Sequence, residues 1–163
     1  MRLAVPIKFQ RLHDDAVIPK HATPGSACVD LVATDIEYVE ENKVVVKYGF
    51  ATEIPEGYKV FVMPRSSFTH KGWVMQNSPG VIDSDYRGEW MSKFEAIPVA
   101  INPKGGIYQG DVCPTLVYEE FPYKKGDRVA QCSIEVNIHM AYKEVKDLSQ
   151  TIRSTGGFGS TGK

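Results

Sequence analysis

Apolar and polar residues alternate along much of this chain, in short stretches rich in Val, Ile, Tyr, Phe and Thr. Such alternation is typical of β-strands with one buried face. Strands are predicted for LAVPIKF, CVDLVA, KVVVKYGFATEI, YKVFVMP, KFEAIPVAI, TLVYEEF and RVAQCSIEVNI. Turn-forming sequences such as TPGS, SPG and KKGD separate them. We therefore predict an all-β fold, either a sandwich, a jelly roll or a barrel.

Helical periodicity is weak throughout, and only MAYKEVKDL predicts one or two helical turns. Residues 1–148 are predicted to form one β-barrel domain with a long, loop-rich insertion near 102–125. The remaining residues, 149–163, consist largely of Ser, Thr and Gly and cannot bury enough apolar surface to fold alone. We expect them to form a flexible C-terminal tail.

The composition excludes several classes of protein. The 163 residues carry a formal net charge of −1, which gives no general electrostatic affinity for nucleic acid. No apolar run is long enough to span a membrane, and Lys8 and Arg11 interrupt the first apolar stretch, unlike a signal peptide. The three widely spaced cysteines suit free thiols in a reducing compartment. We expect a soluble cytoplasmic protein without nucleic-acid or membrane partners.

A carboxylate and a polar loop interrupt this strand pattern. Asp30 lies within an apolar run, where an inward-facing carboxylate needs an ion pair or a metal, although the side chain could equally point out of a half-buried strand. Another predicted strand ends just before Arg65, Ser66 and Ser67. A guanidinium and two hydroxyl groups beside free backbone N–H groups suit an anion, and a Ser-capped turn is the simpler alternative.

The segment 76–90 predicts a hairpin made of a short strand, an acidic turn and the start of a second strand. Asp83, at the end of the first strand, is well positioned to act as a general base. The ring of Tyr86 could pack on a sugar or a base, and backbone groups at the mouth of the hairpin could read the edge of a planar base. An ordinary hairpin with an acidic turn is the alternative.

A third polar interruption is Gln131, which falls inside an apolar strand and needs hydrogen-bond partners, either a ligand phosphate or a neighbouring strand. Asp127 and Arg128 are predicted to form a structural ion pair. The four histidines have no metal-ligand spacing. Each of these features, taken alone, indicates only an all-β protein able to bind an anion.

Five stretches, taken together and in order, resemble the five motifs of the trimeric deoxyuridine triphosphatases (dUTPases). They are ACVDL at 27–31, PRSS at 64–67, GVIDSDYRGE at 80–89, GDRVAQ at 126–131 and RSTGGFGSTG at 153–162. The third and fourth match the family almost residue for residue. The departures from the family are Cys28, Val29, Ser67 and Ser154, where it usually has Gly, Tyr, Gly and Gly.

The resemblance implies a distorted β-barrel or jelly roll that assembles as a homotrimer, with active sites at subunit interfaces. It also implies Mg²⁺-dependent hydrolysis of dUTP to dUMP and pyrophosphate by water attack on the α-phosphorus. Asp83 would activate the water, and Asp30 would hold Mg²⁺ through bound water. The implied substrate-binding residues are Arg65, Ser66, Ser67, Asn77, Gly80, Val81, Ile82, Asp83, Tyr86, Met91, Gln131, Arg153, Phe158 and Gly159.

The matched motifs also imply roles for these residues. Residues 65–67 and Gln131 would contact phosphates, while Asn77 and the backbone of residues 80–83 would read uracil. Tyr86 would pack on the deoxyribose and exclude a 2′-hydroxyl group. The C-terminal tail would close over the substrate as a lid, with an arginine on the γ-phosphate and a phenylalanine over the base.

Two other functions stay open at this point. One is a nucleotide-sensing or partner-binding regulatory protein with weak catalysis, which would use the insertion near 102–125. Such an insertion suits a viral or phage enzyme with a second, regulatory task, and such an enzyme would act in the host cytoplasm. The other is a deoxycytidine triphosphate deaminase of related fold, which the sequence of the third motif and the tail makes the weaker match.

Overall fold

The computed structural model describes residues 4–69, 71–101 and 115–157. Within these ranges the chain forms twelve β-strands and one 3-10 helix, Ser66–Phe68, which confirms the all-β prediction. The strands are β1 (Lys8–Arg11), β2 (Val29–Val32), β3 (Asp35–Glu40), β4 (Lys43–Lys47), β5 (Phe50–Glu53), β6 (Tyr58–Pro64), β7 (Trp73–Met75), β8 (Gly80–Ile82), β9 (Met91–Ala96), β10 (Val99–Ile101), β11 (Thr115–Val117) and β12 (Arg128–Val136).

The predicted strand KVVVKYGFATEI is divided in the structure into β4 and β5 by a corner at Gly49. Gly49 has a φ of 70°, and a Cβ atom there would lie 2.8 Å from Thr34 Cγ2. Glycine is therefore required by both the backbone conformation and the space. The prediction missed β3, in which five of six residues are exposed and three are charged, and the three-residue β7. The helical turns predicted for MAYKEVKDL were wrong, because this described segment has no helix.

Two four-stranded antiparallel sheets form the body of the fold, with the orders β2-β12-β6-β8 and β3-β4-β9-β7. Alternate residues of both sheets face one apolar core, so the architecture is the predicted jelly roll. The most deeply buried apolar side chains are those of Leu31, Val44, Val46, Tyr48, Phe50, Val60, Val62, Phe94 and Val129.

One polar pair lies within this core. The Tyr48 hydroxyl donates a hydrogen bond of 2.6 Å to Ser92 Oγ, and both side chains are fully buried. Burial raises the pKa of Tyr48, so its hydroxyl stays protonated and available as a donor. The hydrogen bond satisfies two groups that would otherwise be costly to bury.

The insertion predicted near 102–125 is described only in part, because residues 102–114 lie outside the described residues. Its final residues belong to the core. Phe121 is buried and packs edge-on against Trp73, with ring centroids 5.0 Å apart. The described part of the chain contains no helix with the length and apolar character needed to cross a bilayer.

Candidate active site

One group of predicted site residues lies where β2, β12 and β6 run side by side. In the register of this sheet, Gln131 on β12 is opposite Asp30 on β2 and Met63 on β6. Arg65 follows the end of β6, and its Nε donates to Asp30 Oδ1 at 2.7 Å. Arg128 NH1 donates to Asp30 Oδ2 at 3.0 Å. We call Asp30, Arg65, Arg128 and Gln131 the Arg–Asp cluster.

Further hydrogen bonds hold the Arg–Asp cluster to the backbone. Arg65 NH1 donates to the Arg128 carbonyl at 3.1 Å, and Gln131 Nε2 donates to the Pro64 carbonyl at 3.0 Å. Two guanidinium groups and one carboxylate leave the cluster with a net charge of +1. The Arg65 side chain is only 23% exposed. Because an anion is attracted both by the charge and by the fork of N–H donors, this is the strongest candidate for a phosphate site.

The structure decides one alternative that the sequence left open here and corrects one prediction. Asp30 does not point freely outward, because its side chain is 18% exposed and paired with two arginines. The ion pair predicted between Asp127 and Arg128 was wrong. Asp127 Oδ2 instead accepts a hydrogen bond of 2.9 Å from the Lys124 backbone N–H, which closes the turn before β12.

Ser66 and Ser67 form the exposed start of the 3-10 helix beside this cluster. The Ser67 Oγ lies 3.4 Å from Arg65 NH1. Among the described non-glycine residues, only Ser154 has a positive φ, 44°, so the replacement of glycine by Ser67 introduces no left-handed backbone. Both serine residues are exposed beside Arg65.

The oxygen donors of this cluster fit Mg²⁺ bound through water. Mg²⁺ is usually held by one or two carboxylates together with substrate phosphates and retains several waters. Each oxygen of Asp30 accepts one hydrogen bond from an arginine. A carboxylate offers about four lone pairs, so Asp30 retains acceptor capacity for metal-bound water. The described residues contain no group of three or more side chains that would bind a metal without a substrate.

A second group of predicted site residues lines a cavity of about 230 Å³. Six of its lining residues were predicted to bind substrate: Asn77, Val81, Ile82, Asp83, Tyr86 and Met91. Glu89 and Lys93 complete the lining, and no sequence pattern indicated a role for either residue. Lys93 lies in a strand with alternating burial, where an exposed lysine looks like any other solvent-facing residue. We call this the β8–β9 cavity.

The hairpin predicted between β8 and β9 was wrong in its pairing. β8 pairs with β6, whereas β9 pairs with β4 and β7 in the other sheet. The side chain of Asn77 links the two segments instead. Its Oδ1 accepts the Lys93 backbone N–H at 2.9 Å, and its Nδ2 donates to the Met91 carbonyl at 3.4 Å. Asn77 therefore anchors one wall of the cavity to the other.

The turn after β8 orients the acidic residue and the aromatic ring. The Tyr86 backbone N–H donates to the Asp83 carbonyl at 3.2 Å, and Arg87 NH1 donates to the Ser84 carbonyl at 2.7 Å. Gly80 has little spare room, because a Cβ atom there would lie 3.0 Å from the Asn77 carbonyl oxygen. Asp83 is exposed at the edge of the cavity, where its carboxylate can accept a proton from water.

The two groups lie towards opposite ends of one sheet. β8 runs antiparallel to β6, with Ile82 opposite Val60, so Asp83 comes level with Lys59. Arg65 lies six residues further along the chain. At ~3.3 Å per residue, the backbones of Asp83 and Arg65 are therefore roughly 20 Å apart within one chain. The single chain does not bring Asp83 together with the Arg–Asp cluster.

The tail residues contact neither group within the described residues. Arg153 is exposed, and its Nε donates to the Gly156 carbonyl at 2.9 Å. Ser154, which stands where the dUTPase motif usually has glycine, adopts the left-handed backbone that favours glycine. Phe158 and Gly159, both predicted to bind substrate, lie outside the described residues.

Comparison with known proteins supports the same family along almost the whole chain. The dUTPase family model matches residues 14–96. A deoxyuridine 5'-triphosphate nucleotidohydrolase of Syntrophotalea carbinolica is 39% identical, over 97% of this chain and 97% of its own. The corresponding protein of a Hydrogenobaculum species is 37% identical, over 94% and 95%. A dUTPase of Staphylococcus bacteriophage 80alpha, solved with dUPNHPP, gives a TM-score of 0.74 at 25% identity, covering 97% of this chain and 99% of that one.

Proposed function

The chain belongs to the dUTPase family, and on that premise we propose that it hydrolyses dUTP to dUMP and pyrophosphate. The observation that carries this proposal is the β8–β9 cavity, which gathers six of the residues expected to bind a deoxyuridine nucleotide. Its volume of about 230 Å³ is below the ~300–1,000 Å³ typical of sites for drug-sized ligands. This volume suits one base with its sugar, so the phosphates would extend out of the cavity.

In the proposed complex, the cavity selects the base and the sugar. Asn77 and the backbone of residues 80–83 would match the carbonyl and N–H pattern of the uracil edge. A cytosine would leave a buried group mismatched, at a cost of ~1–3 kcal/mol. The Tyr86 ring would pack against the deoxyribose where a ribose carries its 2′-hydroxyl group. Met91 would contact the nucleotide through its backbone.

We propose that the complete site forms between subunits of a homotrimer. The separation of roughly 20 Å between Asp83 and Arg65 supports this, because the α-phosphate has to reach both. The chain also exposes a series of apolar side chains after β12: Ile138 at 82%, Met140 at 78%, Tyr142 at 86% and Leu148 at 87%. A surface of this kind is expected to be covered by another subunit.

The Arg–Asp cluster of one subunit would then receive the phosphates of a nucleotide whose base lies in the cavity of another. Arg65, the hydroxyls of Ser66 and Ser67, and Gln131 would donate hydrogen bonds to the phosphate oxygens. When bound through water at Asp30, Mg²⁺ would neutralise charge on the phosphates. The catalytic task of the protein is chiefly positioning and charge neutralisation, as expected for phosphoryl chemistry.

Asp83 would accept a proton from the attacking water. The water oxygen forms a bond to the α-phosphorus, and the bond from that phosphorus to the α–β bridging oxygen breaks. That oxygen leaves as part of pyrophosphate, while the nucleotide remains as dUMP. The electrons of the broken bond stay on pyrophosphate, so the reaction needs no oxidant or reductant.

We further propose that residues 149–163 act as a lid on a domain formed by residues 1–148, which carries the insertion near 102–125. Arg153 would bind the γ-phosphate, Phe158 would stack over uracil, and Gly159 would let the backbone approach the nucleotide. Closure would exclude bulk water from the reaction. The protein would act in the cytoplasm, or in the host cytoplasm if it comes from a virus or phage.

A regulatory role is the second candidate function. Bacteriophage 80alpha dUTPase is described as controlling the transfer of virulence genes. The insertion predicted near 102–125 would supply the further surface that such a role needs. A purely regulatory protein would bind dUTP without turning it over, whereas the presence of Asp83 at the cavity favours catalysis.

The test is to incubate the purified protein with each deoxynucleoside triphosphate and Mg²⁺ and to measure pyrophosphate and ammonia. We expect pyrophosphate from dUTP alone. Binding of dUTP without turnover would favour the regulatory protein instead. Ammonia release from dCTP would identify a deaminase and refute the proposal.

A further inference from the structure

The hydroxyl end of the Tyr86 ring lies close to the Cα of Gly88. A Cβ atom placed on Gly88 would be 2.6 Å from Tyr86 Cζ and 3.0 Å from Cε2, and closer still to the hydroxyl oxygen. Contacts under 3.0 Å force one of the two groups to move. Gly88 has no positive φ, so its backbone conformation is open to alanine. Glycine at residue 88 is thus needed to leave space for the Tyr86 ring, and not to allow the backbone conformation of the turn.

A hydrogen bond holds the ring in this position. The Tyr86 hydroxyl donates to the Glu89 carbonyl at 3.1 Å. Glu89 is fixed in turn, because its Oε1 accepts the Gly49 backbone N–H at 2.9 Å. The next residue, Trp90, is buried and exchanges backbone hydrogen bonds of 3.1 Å with Tyr48 and Phe50. The ring is therefore tied to a part of the chain that the core keeps in place.

We propose that Gly88 is a specificity-determining position. Because Gly88 has no side chain, the Tyr86 ring can occupy the position in which it excludes a 2′-hydroxyl group while admitting deoxyribose. This inference rests on the proposed function, in which Tyr86 faces the sugar. An added methyl group at residue 88 would push the Tyr86 ring away from the Glu89 carbonyl group to which it is hydrogen-bonded. This movement would change the space beside the sugar. The clashing atoms are at the far end of the flexible Tyr86 side chain, which can move without shifting the backbone. We therefore expect little loss in the free energy of unfolding.

The test compares kcat/KM for dUTP and for UTP in Gly88→Ala, in Tyr86→Ala and in the double variant. We expect Gly88→Ala to lower the ratio of dUTP to UTP by about tenfold, in the range that pocket contacts of this size control. In the Tyr86→Ala background the same substitution should leave the ratio unchanged, because no ring remains to be displaced. Gly25→Ala is the matched control, because Gly25 has no positive φ and open space around its Cα.

Four results would count against the inference or against the function on which it rests. A Gly88→Ala protein with the wild-type ratio overturns the inference, as does an equal change of the ratio in both backgrounds. A general weakening of the fold would lower both kcat/KM values together and would also appear in the melting temperature, leaving the ratio at its wild-type value. If the wild-type protein fails to turn over dUTP, the proposed function itself is refuted, and that outcome is separate from any effect at residue 88.

Discussion

Replacing Asp30 with asparagine tests the Arg–Asp cluster, because it removes the only negative charge between two arginines. The bond to Arg65 joins side chains that are 18% and 23% exposed, so it contributes ~1.5–3 kcal/mol as a charge-assisted hydrogen bond. Arg128 is 56% exposed, which limits the second bond to ~0–1 kcal/mol. Asparagine keeps a neutral acceptor worth ~0.5–1.5 kcal/mol. The expected net loss in the free energy of unfolding is therefore about 1–2 kcal/mol.

The same substitution should change ligand binding in opposite directions with and without metal. In the absence of Mg²⁺, the charge of the cluster rises from +1 to +2, and each added unit charge near an anion is worth at least ~1 kcal/mol at short range. Asp30→Asn should then bind pyrophosphate about fivefold more tightly at low salt. With Mg²⁺ present, the variant should lose the gain in affinity that the metal gives the wild-type protein.

Isothermal titration with pyrophosphate, in chelator and then in Mg²⁺, measures both effects, and urea unfolding measures the stability. Asp127→Asn is the matched control, because Asp127 bonds to the Lys124 backbone and forms no ion pair with the neighbouring Arg128 among the described contacts. If Asp30→Asn leaves the metal-free affinity for pyrophosphate unchanged, the assignment of the cluster as the phosphate site is wrong.

Three further predictions follow from the cavity, the tail and the core. Asp83→Asn should lower kcat for dUTP by about 10²–10⁴-fold while leaving the affinity for dUTP nearly unchanged; a fully active variant would contradict its role as the base. Deleting residues 150–163 should lower turnover by about a hundredfold without changing the melting temperature, and full activity would refute the lid. Ser92→Ala should cost ~1–3 kcal/mol in urea unfolding by leaving the buried Tyr48 hydroxyl without a partner, and adding Tyr48→Phe should recover most of that loss, whereas additive losses would refute the pairing.

The sequence predicted the strands well where one face is buried and the other exposed. β12 follows the expected alternation over most of its length, and β6 has the bounds of the predicted YKVFVMP. β3 was missed because four of its six residues are charged or tyrosine and five are exposed, so hardly any apolar periodicity remains. Its position is determined by pairing with β4, a contact that no local pattern reports.

The candidate site was predictable in its residues but less so in its contacts. Turn chemistry in segment 76–90 correctly indicated the turn after β8, where the Tyr86 backbone N–H donates to the Asp83 carbonyl, yet it cannot show that β8 and β9 join different sheets. The ion-pair partners of Asp30 could not be predicted either, because Arg65 and Arg128 are distant from it in sequence. Only the register of the sheet brings the three residues together. The pairing of Arg128 with Asp127 was a local guess that the tertiary structure overrides.

The most direct test of the central claim follows a single turnover of dUTP in water labelled with heavy oxygen, in the presence of Mg²⁺. The wild-type protein should release pyrophosphate that contains no label and dUMP that carries one labelled oxygen on its phosphate, and Asp83→Asn should form almost no product. Label in pyrophosphate would contradict attack on the α-phosphorus. An absence of product from the wild-type protein would contradict the proposed activity itself.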